Sequence, residues 1–570
     1  MRVLVSRLRC PATIIVVGYL AHVAWRLWLI RNCNAPTAHA DEDDYLLAAR
    51  ALAGGAGGYS TENDLFRRIG YPLLLAPVYW VTTDPFRVYR VAQIVGVLIN
   101  SLMFPLAAMF ASRVLGIRRL PAIGLGFVAA ALPSLVFYTG MVMTDVVLPV
   151  LMLAWLLLIY ESALATRGAK SWALLLGSGA VAGLTAIVHI RGVMVLIVHV
   201  TGLAVLALSR RVRPLVAACS LLVALAVAAG DILLKWVLGD AIILIGNDPS
   251  SQIATATTVD WGVTLVLFRV VGQFWYLAIG TLGFGAAGLV AVLTGGAFVG
   301  KDADSRFAKK CVLLGLLAVS VLVVAGSAAS LPFGDRRITY FDYPRYLHPL
   351  FPVWFMVGFA AVVAVRSRGA VLLLARTASC VAVMTAIVQW RTSRARGYWF
   401  LAFDAPEPTS LGWQWQRLEI VVPTVVAMVL FFLVVLSQRW RRTAAVGLAG
   451  VLVLCGVTAQ ASQRNIIAPM VGGQYTAATP RLVRDLGLGS RDVVAETWQV
   501  RFPVLYNHMR EVTWQRLLIF DGHQPPPAEA TVIIAPWYGA GAPASWDGTT
   551  LGMSRIGGDT QYNWAVWRRS

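Results

Sequence analysis

Apolar runs of membrane-spanning length recur along the chain at about 11–30, 91–111, 120–138, 144–160, 172–190, 192–208, 214–237, 272–297, 311–330, 346–364, 370–390, 419–437 and 443–460. Each comes near the ~20 apolar residues with which a helix crosses the hydrocarbon core. The pattern predicts an all-α polytopic membrane protein of about 13 transmembrane helices. The long polar connections are 31–90, 238–271, 331–345, 391–418 and the segment after 462. Long connections are where binding and catalytic residues concentrate. Within the first, 45–53 reads as a short amphipathic helix closed by Gly54-Gly55, and 70–80 as a second helix lying along the interface. From 461 onward charged residues return, Pro525, Pro526 and Pro527 cluster, and β-like runs at 493–495, 531–535 and 563–567 accompany a helical run at 501–509. The chain therefore divides into a transmembrane domain, 1–462, with 31–90 as its first extracytoplasmic loop, and a small soluble C-terminal extracytoplasmic domain, 463–570, of α/β or α+β type.

Composition sharpens this division. With 58% hydrophobic and 13% charged residues, the chain lies far from soluble proteins, in which about 25% of residues are charged. The net charge of +20 would suggest nucleic acid in a soluble protein. Here the basic residues fall in short clusters between apolar runs, as a bilayer with anionic headgroups requires, so no nucleic-acid partner is expected. A cytoplasmic N-terminus puts Arg113, Arg118 and Arg119; Arg167 and Lys170; Arg210, Arg211 and Arg213; Lys301, Arg306, Lys309 and Lys310; Arg366 and Arg368; and Arg439, Arg441 and Arg442 on the cytoplasmic side. One loop dissents. The segment 391–418 should be outside, yet it holds Arg391, Arg394, Arg396 and Arg417; either a span is miscounted there or these arginines serve an anionic ligand. The first run, preceded by Arg2, Arg7 and Arg9, has no clear small-residue cleavage site and reads as an uncleaved helix. The six cysteines show no CxxC or Cys/His spacing, so neither a disulfide framework nor a zinc site is expected. Arginine far outnumbers lysine, which with abundant Ala, Gly and Val suits the plasma (inner) membrane of a GC-rich bacterium.

Four consecutive carboxylates stand out, in Asp41-Glu42-Asp43-Asp44-Tyr45, just beyond the first span. At a membrane surface such a cluster is costly without a use. It supplies a base for an acceptor proton, or it caps the following helix in solvent. Carboxylates at a helix mouth meet its positive end, which favours ionisation. Further along, Met143-Thr144-Asp145 places an acid at the start of a span. It is there either as a cap or as a functional group. His189-Ile190-Arg191-Gly192 puts an arginine on the outer side, against the charge rule, where it pairs with an anion. The segment 340–352 brings Arg345, with Tyr346 beside it, to the head of a span loosened by Pro349 and Pro352. Arg345 is a phosphate ligand or an anchor in the aromatic belt. Arg68, Arg191 and Arg345 are expected to converge on one outer cavity.

Taken in order, Asp41-Glu42 with Tyr45, Arg68-Ile69-Gly70-Tyr71-Pro72, Asp145, His189-Ile190-Arg191-Gly192, Gln273-Phe274-Trp275-Tyr276 and Pro344-Arg345-Tyr346-Leu347-His348-Pro349 resemble the GT-C superfamily of polyprenyl-phosphate-sugar-dependent glycosyltransferases. The likeness is to the protein O-mannosyltransferase and aminoarabinose transferase branch and covers about 1–365. The resemblance implies inverting transfer of a single sugar, pentose or mannose-like, from a polyprenyl-phosphate donor to an acceptor hydroxyl on a glycan, glycolipid or protein. By position it implies catalytic Asp41 with Glu42 beside it, and donor-phosphate binding by Arg345, Arg191 and Arg68. Asp145, His189, Tyr346 and Tyr71 are expected to contact substrate. Some members use a divalent ion (Mg, Mn or Ca), for which Asp41 and Asp44 are the candidate ligands. The rival reading is a transporter or flippase of lipid-linked sugars, which would need the arginines but not the acid. Such transporters carry paired repeats or matching broken helices, and the chain shows no such pairing.

Overall fold

The computed structural model describes residues 11–38, 41–60, 68–165, 168–239, 242–244, 249–259, 261–298, 302–364, 368–437, 443–472, 486–488, 491–500, 502–511 and 517–569. Arg2, Arg7, Arg9, Arg167, Lys301, Arg366, Arg439, Arg441 and Arg442 lie outside them.

Among the described residues, 10 helices are long and apolar enough to cross a membrane. An eleventh crossing forms if Arg119–Ala130 and Pro133–Gly140, bent by 55°, are one span. The bend has a local cause: Pro133 brings no amide hydrogen, and Leu132 before it is extended, at ψ 138°. Two of the 13 expected spans are too short to count by length, Phe351–Ala364 with 14 residues and Val421–Ser437 with 17. At 1.5 Å per residue a 14-residue helix rises only ~21 Å. The expected run at 272–297 is also divided. Helix Gly262–Gly280 stops, the chain turns through Leu282 and Gly283 at positive φ, and Phe284–Leu293 begins afresh.

The basic connections meet at one end of the bundle. Arg113 and Lys170 flank Glu161, at 3.7 and 4.0 Å, and Arg211 meets Asp304 at 2.5 Å. The acidic first loop lies at the other end of the spans. Its helix runs Asp41–Leu52, so it opens on the four acids themselves and not at Tyr45. Carboxylates suit that first turn because they face the unsatisfied amides and the positive end of the dipole. Gly54, at φ 88°, closes the helix, and the Arg50 guanidinium folds the exit back by donating to the carbonyls of Ala56 and Gly57, at 2.6 and 2.8 Å. The second helical stretch, Gly70–Val81, comes where the sequence places it. Strand β1 (Gly58–Ser60) pairs in parallel with β2 (Ile242–Leu244) and ties the first loop to a later one.

The last membrane helix, Thr443–Ser462, runs on through a π turn at Gln463–Ile467 to Gly472. Beyond it the C-terminal domain is a five-stranded sheet of β3 (Val494–Thr497), β4 (Leu517–Phe520), β5 (Val532–Pro536), β6 (Met553–Asp559) and β7 (Trp564–Arg569), in the order β4-β3-β5-β7-β6. β3 pairs in parallel with β4 and β5, and β7 pairs antiparallel with β5 and β6. The helix Phe502–Glu511 makes the crossover between parallel β3 and β4. The apolar runs at 493–495, 531–535 and 563–567 are β3, β5 and β7. β6 escapes a hydropathy reading because its only fully buried residue is Met553.

Candidate active site

Asp41 is the first residue of its helix, with 29% of its side chain exposed. Glu42, next to it, is fully buried and spoken for. Its Oε1 accepts from the amides of Thr37 and Ala38, at 2.7 and 2.9 Å. Its Oε2 accepts from the Val142 amide at 2.7 Å and the Tyr89 hydroxyl at 2.8 Å. The side chain thus back-bonds to the residues before its helix, as in a capping box, while joining that turn to two other parts of the bundle. Burial pushes its pKa up, and the four donors offset part of that shift.

Arg345 reaches Asp41 from the connection ahead of helix Phe351–Ala364, its Nη1 donating directly to Asp41 Oδ2. The same guanidinium meets Asp145 Oδ2 through Nε and Nη2, both at 3.3 Å. Asp145 sits in a single 3₁₀ turn, Thr144–Val146, at the head of its span and is almost wholly buried. Its other oxygen takes Arg191 Nη1 at 3.0 Å. The outcome is a chain of alternating charge, Asp41, Arg345, Asp145 and Arg191, buried at its Asp145–Arg191 end and partly exposed at Asp41, in which each carboxylate is met by a guanidinium. Burial pulls the Arg345 pKa down, but Asp41 and Asp145 outweigh it and hold this arginine firmly charged.

Arg191 is placed by a tight helix-to-helix turn. Helix Ala169–Val188 ends at extended His189, and Arg191 opens the next helix. Gly192 is required there, because a Cβ would lie 1.9 Å from the Thr185 carbonyl oxygen. His189 Nδ1 accepts from the backbone and side-chain Nε of Arg191, both at 3.1 Å. Burial first, then the neighbouring Arg191, keeps the His189 pKa well below its ordinary value. Neutral His189 therefore turns a lone pair toward the cation and orients it. Arg191 also donates to the Arg345 carbonyl at 3.1 Å and lies over the Tyr346 ring at 5.1 Å, and its buried Nη2 has no hydrogen-bond partner among the described residues.

Asp41, Arg345 and Tyr346 line a cavity of about 490 Å³. Tyr71 stands behind them, edge-on to Tyr45 at 5.2 Å, and the Tyr45 hydroxyl is 3.5 Å from Thr144 Oγ1. Arg68 is engaged elsewhere: it bonds Asp231 Oδ2 at 2.9 Å, an acid it shares with Lys235 at 3.5 Å. Only its charge reaches the site, at His189. Asp44 is buried and accepts from the Tyr506 hydroxyl at 3.3 Å, a different partner from that of Asp41. Asp41 and Asp145 are both met by arginine, and among the described residues no group of three or more His, Cys, Asp or Glu is placed to hold a metal ion.

The remaining cavity wall was not singled out in the sequence. It includes Arg337, Tyr340, Tyr343 and Asp404. Asp404 holds Arg337 with both oxygens, at 2.6 and 2.7 Å, and takes the Thr339 hydroxyl at 2.5 Å. Trp399 lies against the Arg337 guanidinium at 5.0 Å. Asp404 and Trp399 belong to the loop 391–418. That loop closes the site with its acid and aromatics. Of its arginines, Arg391 lies over Phe341 and Arg394 over Trp390, and Arg417 pairs with Glu419.

No protein-family model and no curated protein matches the chain. Among solved structures it is similar to ArnT from Cupriavidus metallidurans bound to undecaprenyl phosphate, at 12% identity and a TM-score of 0.52, with 97% of each chain covered. It is equally similar to ArnT from the same organism in the apo state, at 14% identity and a TM-score of 0.51, with 98% of each chain covered. From its first span to its C-terminal sheet the chain has the fold of these ArnT structures, a multi-pass helical membrane architecture with a small C-terminal sheet domain.

Proposed function

We propose that this chain is a membrane glycosyltransferase that moves a single sugar from a polyprenyl-phosphate donor to an acceptor hydroxyl, with inversion, on the extracytoplasmic face. The observation that carries the reading is the meeting of Asp41 and Arg345 at one cavity, in a fold shared with a protein solved with undecaprenyl phosphate. Transfer needs a base for the acceptor proton and a cation for the departing phosphate.

In the reaction, Asp41 takes the proton of the acceptor hydroxyl as its oxygen attacks the anomeric carbon. The bond from that carbon to the phosphate oxygen breaks, and the polyprenyl phosphate leaves with the electron pair. Arg345, on the cavity wall, faces that charge, and Arg191, held by His189 and Asp145 and donating to the Arg345 carbonyl, stands behind it. Because Arg345 grips Asp41 before substrate arrives, the donor phosphate competes for the guanidinium and frees the base. Tyr346 and Tyr71 flank the site, and Arg68 acts at longer range. Glu42 serves as a strut, since all its hydrogen bonds run to the protein. Sugar identity, pentose or mannose, and the glycan, glycolipid or protein nature of the acceptor are for the assay to name.

Membranes carrying the chain, given labelled polyprenyl-phosphate mannose or arabinose and envelope acceptors, should pass label to the acceptor. Flipping of the intact lipid across vesicles with no transfer would replace this reading with the transporter.

A further inference from the structure

The helix that opens on Asp41 is gripped from a second side. Asp43, fully buried, takes Arg510 Nε at 2.8 Å. Asp44 accepts from the Tyr506 hydroxyl, and Arg50 Nη1 donates to the Arg510 carbonyl at 3.2 Å. Leu47 belongs to the apolar cluster of the C-terminal domain, with Val504, Leu505 and Met509. All these partners lie on the one helix Phe502–Glu511. Residues 43, 47 and 50 follow the i, i+4, i+7 spacing of a single helical stripe. Asp41 comes two residues before Asp43 and is therefore ~200° around the axis at 3.6 residues per turn. The helix is held between Arg345 on one side and the C-terminal domain on the other.

The Asp43–Arg510 pair, with Asp43 fully buried and 12% of the Arg510 side chain exposed, is weak evidence for stability, but it fixes orientation, because rotation or sliding of either helix strands the buried Asp43 charge. We propose that Arg510 and Tyr506 are positioning residues: by holding Asp43 and Asp44 they set the rotation of the Asp41 helix, and so the C-terminal domain completes the active site at a distance. This rests on Asp41 acting as the base. A displacement of ~1 Å at a reacting group costs about 100-fold in rate, so the clamp acts chiefly on turnover.

The test uses the full-length chain with Arg510→Ala, Arg510→Lys and Tyr506→Phe, read by hydrogen exchange and by steady-state kinetics with whichever donor the wild type uses. Arg510→Ala should lower kcat by about 10- to 100-fold with donor KM within about twofold, and Arg510→Lys should recover most of the loss. Amides of 41–52 should exchange faster in Arg510→Ala while those of β5 keep their protection. An unchanged kcat, unchanged exchange across 41–52, or loss of β5 protection in step with kcat would each overturn the proposal. If the wild type transfers no sugar, the reading of Asp41 as base falls, and exchange across 41–52 alone decides whether the clamp exists.

Discussion

Arg345 donates directly to Asp41, from more than half the chain away in sequence. The cation that would bind a donor phosphate thus holds the acid that would deprotonate the acceptor. Asp145, fixed by Arg191 on its far side, keeps Arg345 aimed at this point. The cavity's two carboxylates, Asp41 and Asp404, are each met by an arginine, so under the proposed function a donor phosphate would take Arg345 over from Asp41.

Replacing Arg345 therefore has two consequences. Arg345→Lys keeps the charge but cannot meet two carboxylates and a phosphate at once, because an ammonium lacks the planar fork. Its donor KM should rise at least ~10-fold, the equivalent of about 1.4 kcal/mol. Arg345→Met leaves Asp145 with Arg191 alone and should destabilise the chain by about 3–5 kcal/mol, read as a fall in Tm in detergent. A Lys variant with unaltered donor KM would remove Arg345 from phosphate binding.

Glu42→Gln separates strut from catalyst. Four donors converge on the two Glu42 oxygens, and an amide offers one oxygen and two donors of its own. The variant should lose about 1–3 kcal/mol for each donor left unsatisfied, with thermal unfolding and transfer failing together. A Gln variant of wild-type Tm that transfers no sugar would show instead that Glu42 takes part in the chemistry.

Asp342 should make stability depend on pH. Its carboxyl is fully buried with no hydrogen-bond partner on either oxygen among the described residues, and burial first, then nearby Asp404, lifts its pKa well above the usual range. The folded chain binds this proton more tightly than the unfolded chain, so the contribution is complete below the unfolded Asp pKa. It is lost as pH rises from there through the folded pKa. Asp342→Asn removes the titration, and its Tm should fall less with rising pH than that of the wild type. Parallel Tm profiles for the two proteins would contradict this.

Much of the site was legible because its chemistry is local in sequence. Acids at a helix mouth and arginines at span ends single out Asp41, Asp145, Arg191 and Arg345, which the structure brings together, without any tertiary knowledge. Their pairing was not legible, nor was the diversion of Arg68 to Asp231, because both depend on helix packing. Asp43 and Asp44 read as solvated caps, since nothing in the tetrad reveals the domain that covers them. The stripe of Asp43, Leu47 and Arg50 was a missed sign that this helix has a second partner. Asp404 went unread because the loop 391–418 drew notice for its arginines and not for its acid, and Arg337 because the segment 331–345 drew notice for Arg345 alone. Span counting faltered where Pro133 and Gly283 break apolar runs that hydropathy alone reads as continuous.

The most direct measurement is transfer of radiolabelled sugar from polyprenyl-phosphate mannose and arabinose by membranes expressing the chain, beside Asp41→Asn at matched protein levels. A positioned general base contributes about 10²- to 10⁴-fold. The wild type should label an acceptor from one donor, and the Asn variant should lose at least ~100-fold while remaining inserted and folded. An Asn variant that transfers at the wild-type rate would contradict the assignment of Asp41 as the base.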